Sequence, residues 1–366
     1  MTFKVVGISF DHMHMGDLLQ MVADHSGAEI AGLYDPDRSR MSAAIEAHGV
    51  PDERVHTDLD ACMEAARPDL AILCCATAEH AAMTERLAPH LKASGGHLFV
   101  EKPFAASADD ARRMIGAMEG VGRMAINWPL AWVESHRTAK RLIDEGTIGE
   151  LLEVHFYDGN RGPLYHLAGK VEVSADEVER QKPGSWWYRR ASGGGALNDY
   201  MGYGATLGTW YRGGEAPLEV TCTVDEAPGV EVDQHAVAVL RYAPRPSGAT
   251  GLSRMETRWG TFTDPWTHQP QPKCGFTFVG TDGTLTSYDY EDHVTVQTRA
   301  RPEAHPIAID PLPEGERNGI EYVLGRIARD EPIDGPLAPD LCLVAQRIVD
   351  TAARASREKR TLALLP

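Results

Sequence analysis

Short apolar runs set apart by stretches of helical period constrain the first third of this chain more than any other feature. Phe3 to Ile8, Ala28 to Asp35, Val55 to Thr57, Asp69 to Cys75, His97 to Val100 and Met124 to Trp128 each read as strands. Between them the apolar positions recur at helical spacing, as from Met15 to Ala23 and from Ser107 to about Glu119. Strands that alternate with helices in this rhythm build a doubly wound parallel sheet, because each helix carries the chain across one face to the next parallel strand. With 366 residues the chain exceeds what one core usually supports, so a second domain is expected. Gly120, Gly122 and Pro129 bracket the run at Met124 and place the boundary near residue 128, giving domains 1–128 and 129–366.

The second part has a different grammar. A helix from Glu134 to Glu145 stops at Gly146 and leads into a strand from Leu151 to Tyr157. Strand patterns follow at Leu218–Val224, Val232–Tyr242, Ser253–Trp259 and Cys274–Val279, with Gly280 to Leu285 turning into a further strand. An antiparallel meander is the economical arrangement, so the fold class is α/β with a parallel N-terminal sheet and a C-terminal α+β domain. Two amphipathic helices, Glu314–Ala328 and Pro339–Ser356, close the chain.

A formal net charge of −17 argues against nucleic acid or an anionic membrane as partner, since either demands a basic surface. No window of eighteen apolar residues predicts a membrane span, and no basic segment followed by an apolar run predicts export. The six cysteines lack both metal-type pairs and a secreted framework, which points to reduced thiols in the cytoplasm.

The strand at His97–Val100 ends in Glu101-Lys102-Pro103-Phe104. Open α/β sheets hold their ligands at the carboxyl ends of the strands, so Lys102 stands where a substrate is met, and Pro103 restricts its backbone to extended geometry. Glu-Lys-Pro after such a strand, behind an N-terminal βα turn with Gly7, resembles the Gfo/Idh/MocA family of NAD(P)-dependent sugar and cyclitol oxidoreductases. The resemblance implies a Rossmann domain with NAD as cofactor. Only Gly7 of a Gly-x-Gly-x-x-Gly fingerprint is present; Ser9 and His12 stand at the other two positions, with Phe10 between them. Asp35 ends the second strand where a carboxylate accepts the ribose hydroxyls and repels a 2′-phosphate, which favours NAD over NADP, although Arg38 is near enough to receive that phosphate. By the same resemblance Ala76 and Thr77 line the nicotinamide side, His80 opens the next helix, Asn127 lies beside the nicotinamide ribose, and Glu101 is counted among the cofactor contacts.

Gly193-Gly194-Gly195 precedes a helix in which Asp199 and Tyr203, one turn apart, share a face. The family pattern is Gly-Gly-Gly-x-Leu-x-Asp-x-x-x-His, in which the aspartate and histidine hold the sugar and the histidine commonly moves its proton. Here Asp199 is kept and Tyr203 replaces the histidine; with a reference pKa of about 10, a tyrosine needs a nearby cation, which Lys102 could supply. Lys102, Tyr203 and Asp199 are the expected catalytic groups. The family also uses its C-terminal sheet to oligomerise and packs its last helices on the first domain, implying a homodimer or homotetramer.

Between these motifs lies a long loop rich in donors and aromatic faces. Arg161, His166, Lys182 and Trp187 are its expected substrate contacts, and in so acidic a chain the basic residues suggest a sugar bearing an anionic group. His12-Met13-His14 has ligand-pair spacing, but no third ligand stands at a legible spacing, so it is assigned to the phosphate turn or the substrate mouth and no metal is expected. Hydride transfer from a sugar carbinol, with C3 favoured, is the expected reaction. The resemblance also admits a redox-neutral glycoside hydrolase, sulfoquinovosidase-like, that uses NAD transiently, and a catalytically silent sugar or NAD sensor.

Overall fold

Residues 2–225 and 230–366 are described by a computed structural model of the chain. Its first sheet is built from β1 (Phe3–Ile8), β2 (Ala28–Tyr34), β3 (Val55–His56), β4 (Leu70–Leu73), β5 (His97–Glu101) and β6 (Met124–Asn127). They lie in the order β3-β2-β1-β4-β5-β6, all parallel. The order reverses between β1 and β4, which opens a crevice at their carboxyl ends. Helices α1 (His14–Asp24), α2 (Ser42–His48), α3 (Leu59–Ala66), α4 (His80–Ser94) and α5 (Ala108–Met118) cross the faces. Local signals start two of them: Asp58 accepts the Ala61 N–H before α3, and Ser107 accepts that of Asp110 before α5.

After α6 (Glu134–Asp144) the chain enters a nine-stranded sheet at β7 (Leu151–Asn160). A short helix α7 (Ala175–Gln181) and the long α8 (Ala196–Tyr211) precede β8 (Glu219–Val224), β9 (His235–Arg241), β10 (Leu252–Trp259), β11 (Gly275–Gly280), β12 (Gly283–Tyr288), β13 (His293–Thr298) and β14 (His305–Ala308). Helices α9 (Gly319–Ala328) and α10 (Pro339–Glu358) follow, and β15 (Leu362–Ala363) adds a last edge. The order is β14-β13-β12-β11-β7-β10-β9-β8-β15, antiparallel except where β10 runs parallel to β7. The expected simple meander is therefore corrected. β7 is inserted at the middle of the sheet between β11 and β10, and this long-range pairing leaves no mark on local periodicity.

Helix α8 is held where the two halves meet. Gly193 and Gly195 take positive φ, and a Cβ on Gly194 would lie 2.1 Å from the Trp187 carbonyl oxygen, so the triple glycine is required by backbone shape and close approach. Two turns on, a Cβ at Gly202 would strike the Trp128 ring at 2.5 Å, so the helix can lie directly on the end of the first domain. α10 packs back on that domain too: Ala108 N–H donates to Asp350, Ala105 N–H to Gln346, and Trp128 Nε1 to Cys342 Sγ.

Candidate active site

Lys102 follows β5 directly, and its ammonium reaches across to α8, donating to Asp199 Oδ1 at 2.7 Å. Both side chains are buried, 4% and 3% exposed, and the second oxygen of Asp199 accepts Trp259 Nε1 at 3.1 Å. The ammonium also sits near the faces of Trp187 and Tyr203, 5.3 and 5.6 Å from the ring centroids. Lys102, Asp199, Trp187 and Tyr203 line a cavity of about 510 Å³, together with His12, His14 and His166.

The expected convergence of Lys102, Asp199 and Tyr203 is thus present, but the phenol cannot take the role of the histidine it replaces. Burial, and then the charges of Glu101 and Asp199, hold its pKa well above the ordinary value, and Lys102 lies toward its ring. Tyr203 can donate a hydrogen bond; it is not a base at neutral pH.

The loop residues divide. His166 and Trp187 line the cavity, with Trp187 stacked on Trp186 at 3.7 Å. Arg161 and Lys182 do not line it. Arg161 is held by Asp264 and Glu172, and Lys182 by Glu179, so ordinary ion pairs keep these two from the cavity, and Lys170 is the cation of the same loop that lines it. Acidic groups contribute as well. Asp158 and Asp289 line the cavity, and Asp289 is held by His136 at 2.8 Å. Burial, and then the nearby charges of Asp289 and Asp199, push the Asp158 carboxyl well up, so it keeps its proton near neutrality. Neither acid belongs to a recognisable motif. Their one sequence signal is parity: Val154, Phe156 and Asp158 share one face of β7, so a carboxylate sits on an apolar face.

On the cofactor side, the test is whether the turn after β1 fits a dinucleotide without its glycines. It keeps the required shape. Ser9 takes φ 63° in the left-handed region where the fingerprint places a glycine, and a Cβ at Gly7 would lie 3.0 Å from Met15 Sδ, so the first glycine serves the close packing of helix on strand. Asp35 stands at the tip of β2, accepting the N–H groups of Phe10 and Asp37 at 2.8 and 2.9 Å. It is fully buried and fixes the turn from beneath. Arg38 is paired with Asp52 rather than free for a 2′-phosphate. Across the crevice Thr77 lies against Gly193, and the Ala76 backbone bonds the Asp11 carboxylate. His80 is a clamp: its ring nitrogens meet the carbonyls of Phe104 and Cys75 at 3.0 and 3.1 Å. The strand-turn-helix geometry and the left-handed Ser9 fit a dinucleotide at the switch between β1 and β4, while Asp35, expected to take the ribose hydroxyls, is spent on the backbone of the turn.

Glu101, buried at the end of β5, lies behind His12 and His14, which line the cavity. One oxygen accepts Asn127 Nδ2 at 2.7 Å and the other lies 2.7 Å from His14 Nδ1 and 3.9 Å from His12 Nε2. Burial, then the charges of His14 and Lys102, lower the His12 pKa well below normal; burial and then His14 lower that of His166 to about 4. Both imidazoles are neutral at pH 7.

Residues 1–127 match the model of an oxidoreductase family with an NAD-binding Rossmann fold, GFO_IDH_MocA, and residues 136–286 match the C-terminal domain of the same family. Among curated relatives, a D-apiose dehydrogenase of Paraburkholderia graminis is 31% identical over 127 residues, 34% of this chain and 32% of that protein. An inositol 2-dehydrogenase of Saccharopolyspora erythraea is 30% identical over 153 residues, 39% of this chain and 43% of that protein. The chain spans less than half the length of these relatives. Among solved structures, the aldose-aldose oxidoreductase from Caulobacter crescentus, complexed with glycerol, superposes with a TM-score of 0.77 at 20% identity, covering 100% of both chains. The WlbA dehydrogenase from Bordetella pertussis, in complex with NADH and UDP-GlcNAcA, gives 0.74 at 16% identity, covering 100% of this chain and 98% of that one. At those identities the likeness is one of fold.

Proposed function

This chain belongs to the GFO/IDH/MocA oxidoreductase family, with NAD as the cofactor of its N-terminal domain, and from that premise we propose that it oxidises a carbinol of a neutral polyhydroxylated sugar or cyclitol. The observation that carries the reading is the buried Lys102–Asp199 pair, made from opposite domains at the base of the cavity. NAD, when bound, supplies the acceptor for the carbinol hydride. Gly7, Ser9 and the start of α1 would hold it, on a turn that Asp35 fixes from beneath, with Ala76, Thr77 and Asn127 along the crevice.

Lys102 has three N–H donors and Asp199 takes one, so two remain for the reacting oxygen. Transfer of one Nζ proton to Asp199 Oδ1 along the existing 2.7 Å hydrogen bond frees the Nζ lone pair, which takes the hydroxyl proton as the carbinol hydride leaves. Trp259 fixes the aspartate for that transfer, and Trp187 offers a face against which a sugar ring can lie. Arg161 and Lys182 are taken up by carboxylates, and in the cavity Lys102 and Lys170 are outnumbered by Glu134, Asp158, Asp199, Asp289 and Glu291, which favours neutral substrates. A panel of neutral and uronic sugars with NAD tests this: reduced nicotinamide is expected with a neutral member, and silence across the panel would remove the proposal.

A second reading has one observation in its favour. Asp158, kept protonated in the cavity, is the proton donor that a departing glycosidic oxygen needs and a simple dehydrogenation does not. A nitrophenyl glycoside with catalytic NAD separates the two, since release of phenolate without net reduced nicotinamide marks the redox-neutral route. A silent sensor would give turnover in neither assay. The six buried free cysteines suit a reducing compartment such as the cytoplasm, and assembly as a homo-oligomer through the outer face of the nine-stranded sheet follows the same family reading.

A further inference from the structure

Sequence offered His12 and His14 as a pair without a third ligand. Folding supplies one. Glu101, at the end of β5, brings its Oε1 to 2.7 Å from His14 Nδ1 and 3.9 Å from His12 Nε2, and one ligand atom from each of the three lies within 4.8 Å of the others. Bond lengths of about 2.0–2.2 Å to nitrogen and oxygen place tetrahedral ligand atoms about 3–3.5 Å apart, a spacing that the two observed distances bracket.

Two further features point to a ligand. His12 is 2% exposed and its Nε2 is buried with no hydrogen-bond partner, an arrangement that proteins rarely leave unfilled. Glu101 is oriented from behind by Asn127, the outer support that metal-binding carboxylates usually have. The His12 ring is also packed edge-on to Trp187 at 4.9 Å, which fixes its direction. His166 lines the same cavity, and its Nδ1 is likewise buried and unpartnered.

We infer that His12, His14 and Glu101 form a binding site for a divalent transition cation of the zinc class, with its remaining position open to the substrate cavity. Two imidazoles and one carboxylate make a catalytic rather than a closed structural set, because such a set leaves room for a water or substrate oxygen. The neighbouring ammonium of Lys102 is already balanced by Asp199, and Glu101 supplies a negative charge in the shell. One hydrogen bond is lost. His12 Nδ1 accepts the His14 N–H at 3.2 Å, and ligation through Nε2 puts the ring proton on Nδ1, so that first-turn amide must turn to water.

The role of the ion rests on the dehydrogenase reading; its binding does not. A sugar hydroxyl taken as the open ligand loses its proton more readily, a task beyond the buried phenol of Tyr203.

The test uses the full chain, freed of metal by a chelator and titrated with Co²⁺ in the absence of NAD and sugar, read by visible absorption and by bound metal after gel filtration. One ion per chain is expected. His14→Gln, Glu101→Gln and His12→Ala should each weaken binding at least tenfold, and Asn127→Ala by about 10–100-fold. Circular dichroism checks that each variant is folded; His14→Gln, at the least buried of the three ligands, keeps the test decisive if His12→Ala unfolds. No Co²⁺ bound, or binding unchanged in the folded variants, overturns the site. Tight binding alongside silence in the sugar panel would leave the site standing and remove the dehydrogenase reading alone.

Discussion

Replacing Lys102 by methionine probes the contact that joins the two domains. In the native protein its ammonium is bonded to Asp199 in a place closed to water. Methionine keeps most of the stem's volume and removes the charge, leaving Asp199 buried with Trp259 Nε1 as its remaining side-chain donor among the described residues. Breaking one side of a buried pair costs about 3–5 kcal/mol, because the stranded charge keeps its desolvation penalty and loses its compensation. At about 1.4 kcal/mol per tenfold, that is a fall of roughly two to three and a half decades in the folded-to-unfolded ratio. Adding Asp199→Leu removes the stranded carboxylate, so Lys102→Met/Asp199→Leu should be less destabilised than the sum of the singles by about 1–3 kcal/mol. Urea unfolding followed by tryptophan fluorescence, with the slope on denaturant checked for constancy, supplies the cycle. A single-variant cost below about 1 kcal/mol, the range of exposed pairs, or strict additivity, would refute the reasoning.

Three other outcomes follow from the same geometry. Asp158 keeps its proton in the fold but releases it in the unfolded chain above about pH 4, so the native state binds more protons and stability falls as pH rises from there up to the raised pKa. Asp158→Asn should flatten that decline in unfolding free energies measured between about pH 5 and pH 8; an unchanged slope would contradict the assignment. His80→Ala strands whichever of the buried Phe104 and Cys75 carbonyls its one ring N–H serves, and should cost about 1–3 kcal/mol by denaturant unfolding, against less than 1 if the ring were only a filler. Lys182→Ala, which removes a partly exposed partner of Glu179, should leave the ratio of KM for charged and neutral sugars unchanged, whereas a selective rise for charged sugars would restore the anion-binding loop.

How far the sequence reached depends on the range of the interactions concerned. The parallel sheet was legible because each strand and crossover helix carries its own period, and the family of the chain was legible in Glu101-Lys102-Pro103 and the triple glycine. That Lys102 would meet the helix bearing Asp199 followed from the resemblance, and the structure makes it a direct contact. The place of β7 beside β10 was hidden, since pairing in the middle of a sheet is settled by tertiary packing. So were the fates of Arg161 and Lys182, whose carboxylate partners cannot be chosen from a chain rich in them. His12 and His14 showed as a pair, but Glu101 joins them only when β5 ends beside the first turn. Asp289 repeats the signal of Asp158: it follows Leu285 and Ser287 on the buried parity of β12 and its exit.

The most direct measurement of the central claim follows a label. A sugar that the enzyme accepts, deuterated at the reacting carbinol carbon, is turned over with NAD by the native chain and by folded Lys102→Met, and the nicotinamide is analysed by mass spectrometry. The account predicts deuterium in the reduced cofactor of the native enzyme and turnover at least about 100-fold slower in the variant, the lower end of what one positioned acid–base group contributes. Reduced cofactor without deuterium, or undiminished turnover without the lysine, would contradict it.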